Sequence, residues 1–170
     1  MSDSSDRAAD RAPPGETAGG ASFPREGRLL GLDYGTKRVG IAVSTPEQNI
    51  ASPLETYTRR SVEDDARHLA RVADEYAAVG IVVGLPVHMS GDEGQKAAEA
   101  RAFGKWAAEV TGLPVCFWDE RHTSTMAEQH LLSAELTKRK RKSRIDMVAA
   151  VFMLQSFLDA PDRGQPPSAM

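Results

Sequence analysis

Residues Gly31 to Ser44 read GLDYGTKRVGIAVS, and the rest of the fold can be read outward from them. Apolar side chains run into Asp33, a tight polar turn follows through Tyr34, Gly35, Thr36, Lys37 and Arg38, and a second apolar run, Val39 to Val43, leaves it. Two short apolar strands joined by a glycine-containing turn read as an antiparallel hairpin. A carboxylate ending an otherwise core-like strand is costly to desolvate unless a cation, a basic side chain or backbone amides meet it. Asp33 is therefore either an Asx-turn residue bonding its own turn amides or a member of a charged site. The hairpin alone leaves both open.

Downstream, Ile50 to Tyr57 is a third strand, and Pro53 assigns it to a sheet edge because proline cannot donate to a ladder. Ser61 caps a helix with Val62, Ala66, Leu69, Ala70, Ala73 and Ala77 at helical spacing, which should end near Val79 and Gly80. Ile81 to Leu85 is a continuous apolar strand, of the kind found covered on both faces. An Ala-rich helix then runs to Val110 with Phe103, Trp106, Ala107 and Val110 on one side, and Pro114 to Trp118 is a fifth strand that leads into Asp119-Glu120-Arg121. Thr125 and Glu128 form a capping box for a short helix to about Leu132, and a last helix should start near Ser143 and end before Pro161. The expected fold class is α/β: a mixed five-stranded sheet, a three-strand antiparallel meander plus two parallel strands, with helices on both faces.

The chain of 170 residues fits one domain, expected over 27–160. Residues 1–26 are rich in Ala, Asp, Arg, Gly, Pro and Ser, with Phe23 the only large apolar side chain after Met1, so a disordered extension is expected there, and a flexible tail over 161–170. No apolar run approaches a membrane span, and the extension lacks the apolar core of a secretory signal. The single cysteine, Cys116, sits in an apolar run and reads as a buried thiol of a cytoplasmic protein. Net charge is −3, yet Lys138 to Lys142 reads KRKRK, a local positive patch that the average hides.

In open α/β sheets function gathers at the carboxyl ends of strands. Asp33 ends the first strand, Glu120 follows the fifth, and Asp146 is expected in the first turn of the last helix, where the helix dipole favours its charge. Three ionised acids brought together repel one another unless a cation joins them, and hard oxygen-seeking ions, Mg²⁺ or Mn²⁺, would relieve the repulsion and allow phosphodiester chemistry. Asp119 rivals Glu120, because neighbouring strand residues face opposite sides and the residue types do not say which faces the site. Each acid also has a plain structural explanation: Asp146 could complete an N-cap box with Ser143, and Glu120 could simply pair with Arg121.

Basic residues indicate what the acids work on. Lys37 and Arg38 follow the Asp33 turn, Arg121 follows Glu120, and Lys138, Arg139, Lys140, Arg141 and Lys142 precede Asp146. That adjacency favours a phosphate backbone over simple solubility. The histidines show no zinc spacing, although His122 is close enough to Glu120 to position a water or phosphate. The segment PVHMSGDEG lacks the lysine and hydroxyl of a phosphate loop. Trp106 and Trp118 read as core.

The motifs GLDYGTKRVGIAVS, IVVGLPVHMSGDEG, DERHTS and KSRIDMVAAVFMLQSFLD, in this order and spacing, resemble the YqgF/RuvX family of bacterial RNase H-like proteins, over roughly Arg28 to Asp159. The family is described as Holliday-junction-resolvase-like and as nucleases of the small-subunit rRNA precursor. The resemblance implies an RNase H-like fold, metal-dependent phosphodiester hydrolysis in the processing of pre-16S rRNA, a cytoplasmic setting, and Asp33, Glu120 and Asp146 as the acids. His88 and Ser124 depart from the family's usual Asn and Thr, and the long N-terminal extension has no place in its pattern. The expected partner is nucleic acid, structured RNA or branched DNA. Junction resolution would need two active sites and hence a homodimer. A catalytically silent nucleic-acid-binding factor is a further alternative. An ATP-binding role, suggested by the DxGTxxxG string from Asp33 to Gly40, would need a second large domain that this chain is too short to supply.

Overall fold

The computed structural model describes residues 23–86, 94–120, 138–161 and 163, with the side chains of the last helix described from Met147 onward. Five strands, β1 (Leu29–Asp33), β2 (Arg38–Ser44), β3 (Ala51–Thr58), β4 (Gly80–Leu85) and β5 (Val115–Asp119), form one sheet in the order β3–β2–β1–β4–β5. β1 pairs antiparallel with β2 and β2 with β3, whereas β1–β4 and β4–β5 are parallel. This is the expected meander followed by crossovers. β3 lies at the edge, and the ladder skips a residue where Pro53 faces Ala42 and Glu55 faces Ile41, so the residue that cannot donate sits beside a bulge.

Two helices, α1 (Val62–Glu75) and α2 (Gln95–Thr111), cover one face, and α3 (Lys138–Asp159) covers the other. Strand parity separates the two cores. Leu30, Leu32, Ile41, Ile81, Val83 and Val115 pack toward α1 and α2, and Leu29, Ala42, Val82 and Cys116 pack toward α3 with Ala150, Met153, Leu154 and Phe157. Burial among these side chains pushes the Cys116 thiol up to about 12, so it stays a neutral apolar filler. Phe23, counted with the N-terminal extension in the sequence reading, packs edge-on against Phe157 with ring centroids 5.7 Å apart. Residues 1–22 lie outside the described residues, as does the helix expected after Thr125.

The helix boundaries hold two corrections. α1 starts where expected, with the Ser61 hydroxyl accepting from the Asp64 amide at 3.1 Å, but it ends at Glu75, well before Val79. Its end is a Schellman turn: the Ala78 amide donates to the Ala73 carbonyl at 2.9 Å and the Ala77 amide to Asp74 at 3.1 Å, with Ala77 left-handed at φ 49°. Alanine carries no stop signal at such a position, so the expected end slid to Gly80, which belongs to β4. α3 begins at Lys138, not near Ser143, so the basic run is helical instead of leading into the helix. The expected burial all round Met147 to Leu154 is also only partial: Ala150, Met153 and Leu154 are buried, and Met147, Val148, Ala149, Val151 and Phe152 are half-buried.

Candidate functional site

The site forms at the carboxyl end of β1. Alternation along β1 sends Leu30 and Leu32 to the α1/α2 side, and Leu29, Gly31 and Asp33 to the α3 side. Along β5 the same alternation sends Cys116 and Trp118 toward α3. The ladder continues one step further, with the Glu120 amide donating to the Leu85 carbonyl at 3.1 Å, so Glu120 also rises on the α3 side and Asp119 turns to the opposite face. Glu120 and Asp33 then meet in a hydrogen bond between their carboxyls.

Gly84 makes that meeting possible. β4 lies between β1 and β5, which sets Asp33 and Glu120 on strands about 10 Å apart. Only a short gap over the middle strand lets carboxyls from the two flanks converge. A Cβ at Gly84 would fall on the Glu120 carboxyl, with its Cδ only 2.6 Å away. Position 84 must therefore carry no side chain. Reading the sequence for acids missed this residue. Its signal was a glycine inside the unbroken apolar strand IVVGL, where glycine marks a close approach.

Burial pushes the Glu120 carboxyl above its ordinary range, the Asp119 charge adds to this, and the hydrogen bond with Asp33 works against it. A hydrogen bond between two carboxyls needs a proton, and a divalent ion in its place would neutralise both. The oxygen donors suit a hard cation such as Mg²⁺ or Mn²⁺. Among the described residues no group of three or more His, Cys, Asp or Glu is gathered that could hold a metal.

Asp146 lies outside the described side chains, but its backbone position is informative. Phe157 touches Phe23, which lies over Gly80 and Leu29, while the Ala150 carbonyl and the Leu154 side chain lie over Gly31. α3 thus runs back along β1 in the opposite direction, and its earlier turns approach the Asp33 end. Residue 146 sits one turn before Ala150, in the helix interior and not in the first turn. The dipole argument and the Ser143 capping alternative both lapse, because Ser143 is itself helical and the dipole effect is confined to the first turn.

Of the expected basic residues, Lys37 is exposed in the β1–β2 turn and Arg38 opens β2, half-buried. Arg121 lies outside the described residues, as do the side chains of Lys138 to Lys142, whose backbone forms the start of α3. His88, His122 and His130 also lie outside them. A second group was not read from the sequence. The buried Asp65 accepts from the Tyr57 hydroxyl at 2.9 Å, the Arg60 amide at 2.9 Å and Arg59 Nε at 3.3 Å. Arg59 also reaches the Gly35 carbonyl at 3.4 Å, lies 5.5 Å over the Tyr34 ring, and donates its amide to the Lys37 carbonyl at 2.9 Å. The turn that follows Asp33 is therefore braced from the β3–α1 connection.

This mixed five-stranded sheet with helices on both faces is an RNase H-like fold. A Fowlpox virus resolvase solved with Holliday junction DNA superposes on 78% of this chain and 97% of its own with a TM-score of 0.51 at 11% identity, a likeness of fold alone. RuvC of T. thermophilus in complex with a Holliday junction covers 74% and 90% with a TM-score of 0.49 at 17% identity. The family described as "RuvX: Holliday junction resolvase" matches residues 27–160, and the chain belongs to that family. Relatives named "Putative pre-16S rRNA nuclease" include one from Cereibacter sphaeroides, 49% identical over 142 residues, 84% of this chain and 89% of its own. Another, from Rhodobacter capsulatus, is 43% identical over 146 residues, 86% and 92% of the two chains.

Proposed function

We propose that this protein is a metal-dependent nuclease that hydrolyses phosphodiester bonds in the maturation of pre-16S rRNA, in the cytoplasm. The observation that carries this reading is the pair of carboxyls, Asp33 and Glu120, meeting over the bare backbone of Gly84. Membership of the RuvX family and the names of its relatives supply the reaction class and the RNA. No helix among the described residues is long and apolar enough to cross a membrane.

Asp33 and Glu120, with Asp146 arriving on α3, would hold Mg²⁺ or Mn²⁺. Bound there, the ions would activate a water and stabilise the leaving oxygen. The chain's own part is to fix geometry. Asp33 is set by the β1 ladder, Glu120 by the hydrogen bond its amide donates to the Leu85 carbonyl, and the absence of a Cβ at residue 84 keeps the site open toward α3. Lys37, Arg38, Arg121 and the 138–142 run hold the substrate backbone near this end of the sheet, without reading its sequence.

The test is cleavage of a pre-16S rRNA fragment and of a four-way DNA junction in Mn²⁺. Wild type, Asp33→Asn and Gly84→Ala are compared. RNA cutting that is lost in Asp33→Asn and falls about 10–100-fold in Gly84→Ala, the scale for disturbing what supports a metal ligand, is the expected result. Cutting that persists in excess chelator would overturn the metal site. Preference for the junction by a dimer would move the reading to recombination.

A further inference from the structure

The end of the sheet that carries Asp33 also gathers basic residues from a segment the nuclease reading has not used. β2 and β3 are antiparallel with Arg38 opposite Thr58, so the chain leaving β3 emerges beside the β1–β2 turn, at the carboxyl end of β1. Arg59 and Arg60 follow immediately, and the bond from the Arg59 amide to the Lys37 carbonyl, 2.9 Å, sets the two basic dipeptides side by side.

The two arginines do different work. The Arg59 guanidinium is committed to Asp65 and the Gly35 carbonyl, and its plane lies over Tyr34 and Phe103. Its side chain is only 28% exposed. Arg60 points its charge outward, being exposed while its amide is anchored to Asp65 at 2.9 Å. Of the three acids in the first turn of α1, Asp65 is engaged by Arg59 and Tyr57 and Asp64 by Arg67, and Glu63 is exposed.

We infer that Arg60 and Lys37, held in register by the Arg59 brace, form a phosphate-backbone track that leads a nucleic-acid strand across the β2–β3 edge toward Asp33 and Glu120. The inference rests on the nuclease reading and adds the direction from which the substrate comes. β3 lies two strand spacings from β1, about 10 Å, or about three nucleotides at 3.4 Å per step along one strand. Such a track takes any phosphodiester backbone, RNA or DNA, and reads no bases.

The experiment measures binding of a labelled RNA hairpin with a single-stranded extension across a salt series. The protein is the full chain carrying Asp33→Asn, so that the probe is not cut. Each lost phosphate contact lowers the log–log salt slope by about 0.7 on single strands and 0.9 on duplex. Lys37→Gln/Arg60→Gln is expected to flatten the slope by about 1.4–1.8, so that the affinity lost between about 50 and 200 mM salt shrinks roughly tenfold. Arg71→Gln, exposed in the later turns of α1 and away from the turn, serves as the control of equal chemistry and should leave the slope unchanged. A double variant with the control's slope, while the parent still binds in a salt-dependent way, overturns the track and spares the nuclease reading. A parent that shows no salt-dependent binding overturns both.

Discussion

At the scale of single residues, the site depends on one side chain that is absent and one proton that is shared. Gly84 lets carboxyls from the ends of β1 and β5 meet across β4; burial holds Glu120 above its ordinary range, and the hydrogen bond with Asp33 works against that shift. This has a consequence for stability. A carboxyl raised above its unfolded value of 4.5 holds its proton more tightly in the folded chain. Its contribution is complete in acid below that value and is lost as pH rises through the folded pKa. Glutamine at 120 cannot ionise and escapes that loss. In chelator, the Tm of Glu120→Gln is therefore expected to climb relative to wild type as pH rises from about 4.5 toward neutrality. Thermal melts of the two proteins across that range check this, and a Tm difference that does not change with pH would contradict it.

Elements show what could be read from the chain and what could not. The antiparallel meander with two parallel strands, the edge position of β3, the Ser61 cap and the places of Asp33 and Glu120 at strand ends follow from alternation, proline chemistry and motif spacing, which are local signals. The choice between Glu120 and Asp119 could not be read, because it depends on which face of β5 meets α3, a tertiary fact. The end of α1 was misplaced because Ala77 adopts a left-handed conformation usually signalled by glycine. The start of α3 was placed too late because a run of like charges reads as a loop, although Lys and Arg are good helix formers. The contact between α3 and β1 hinges on Gly31, where a Cβ would stand 2.9 Å from Leu154 Cβ and 3.4 Å from the Ala150 carbonyl. Gly31→Ala forces the helix and strand apart, and overpacking of this kind costs about 1–3 kcal/mol. Urea unfolding should show a lower midpoint at unchanged slope. An unchanged midpoint would mean that the interface yields without cost.

For the molecule as a whole, the site draws on parts of the chain that only the complete fold brings together. Asp33 comes from the hairpin and Glu120 from beyond the last strand, and the proposed third acid, Asp146, belongs to the helix on the sheet face opposite α1 and α2. An unfolded chain cannot present these acids in one place, so a divalent ion bound by them binds the native state alone. Mass action then stabilises the fold by RT ln(1 + [L]/Kd), about 2.7 kcal/mol at 100 times the dissociation constant. Mn²⁺ or Mg²⁺ should raise the Tm of wild type in a concentration-dependent way. Asp33→Asn removes one of the two carboxyls and should abolish most of that rise. Glu120→Gln should do the same from the other strand, so its advantage in chelator ought to shrink or reverse as metal is added. An equal rise in wild type and both variants would place the ion elsewhere on the protein, and the paired carboxyls would then be held by their shared proton alone.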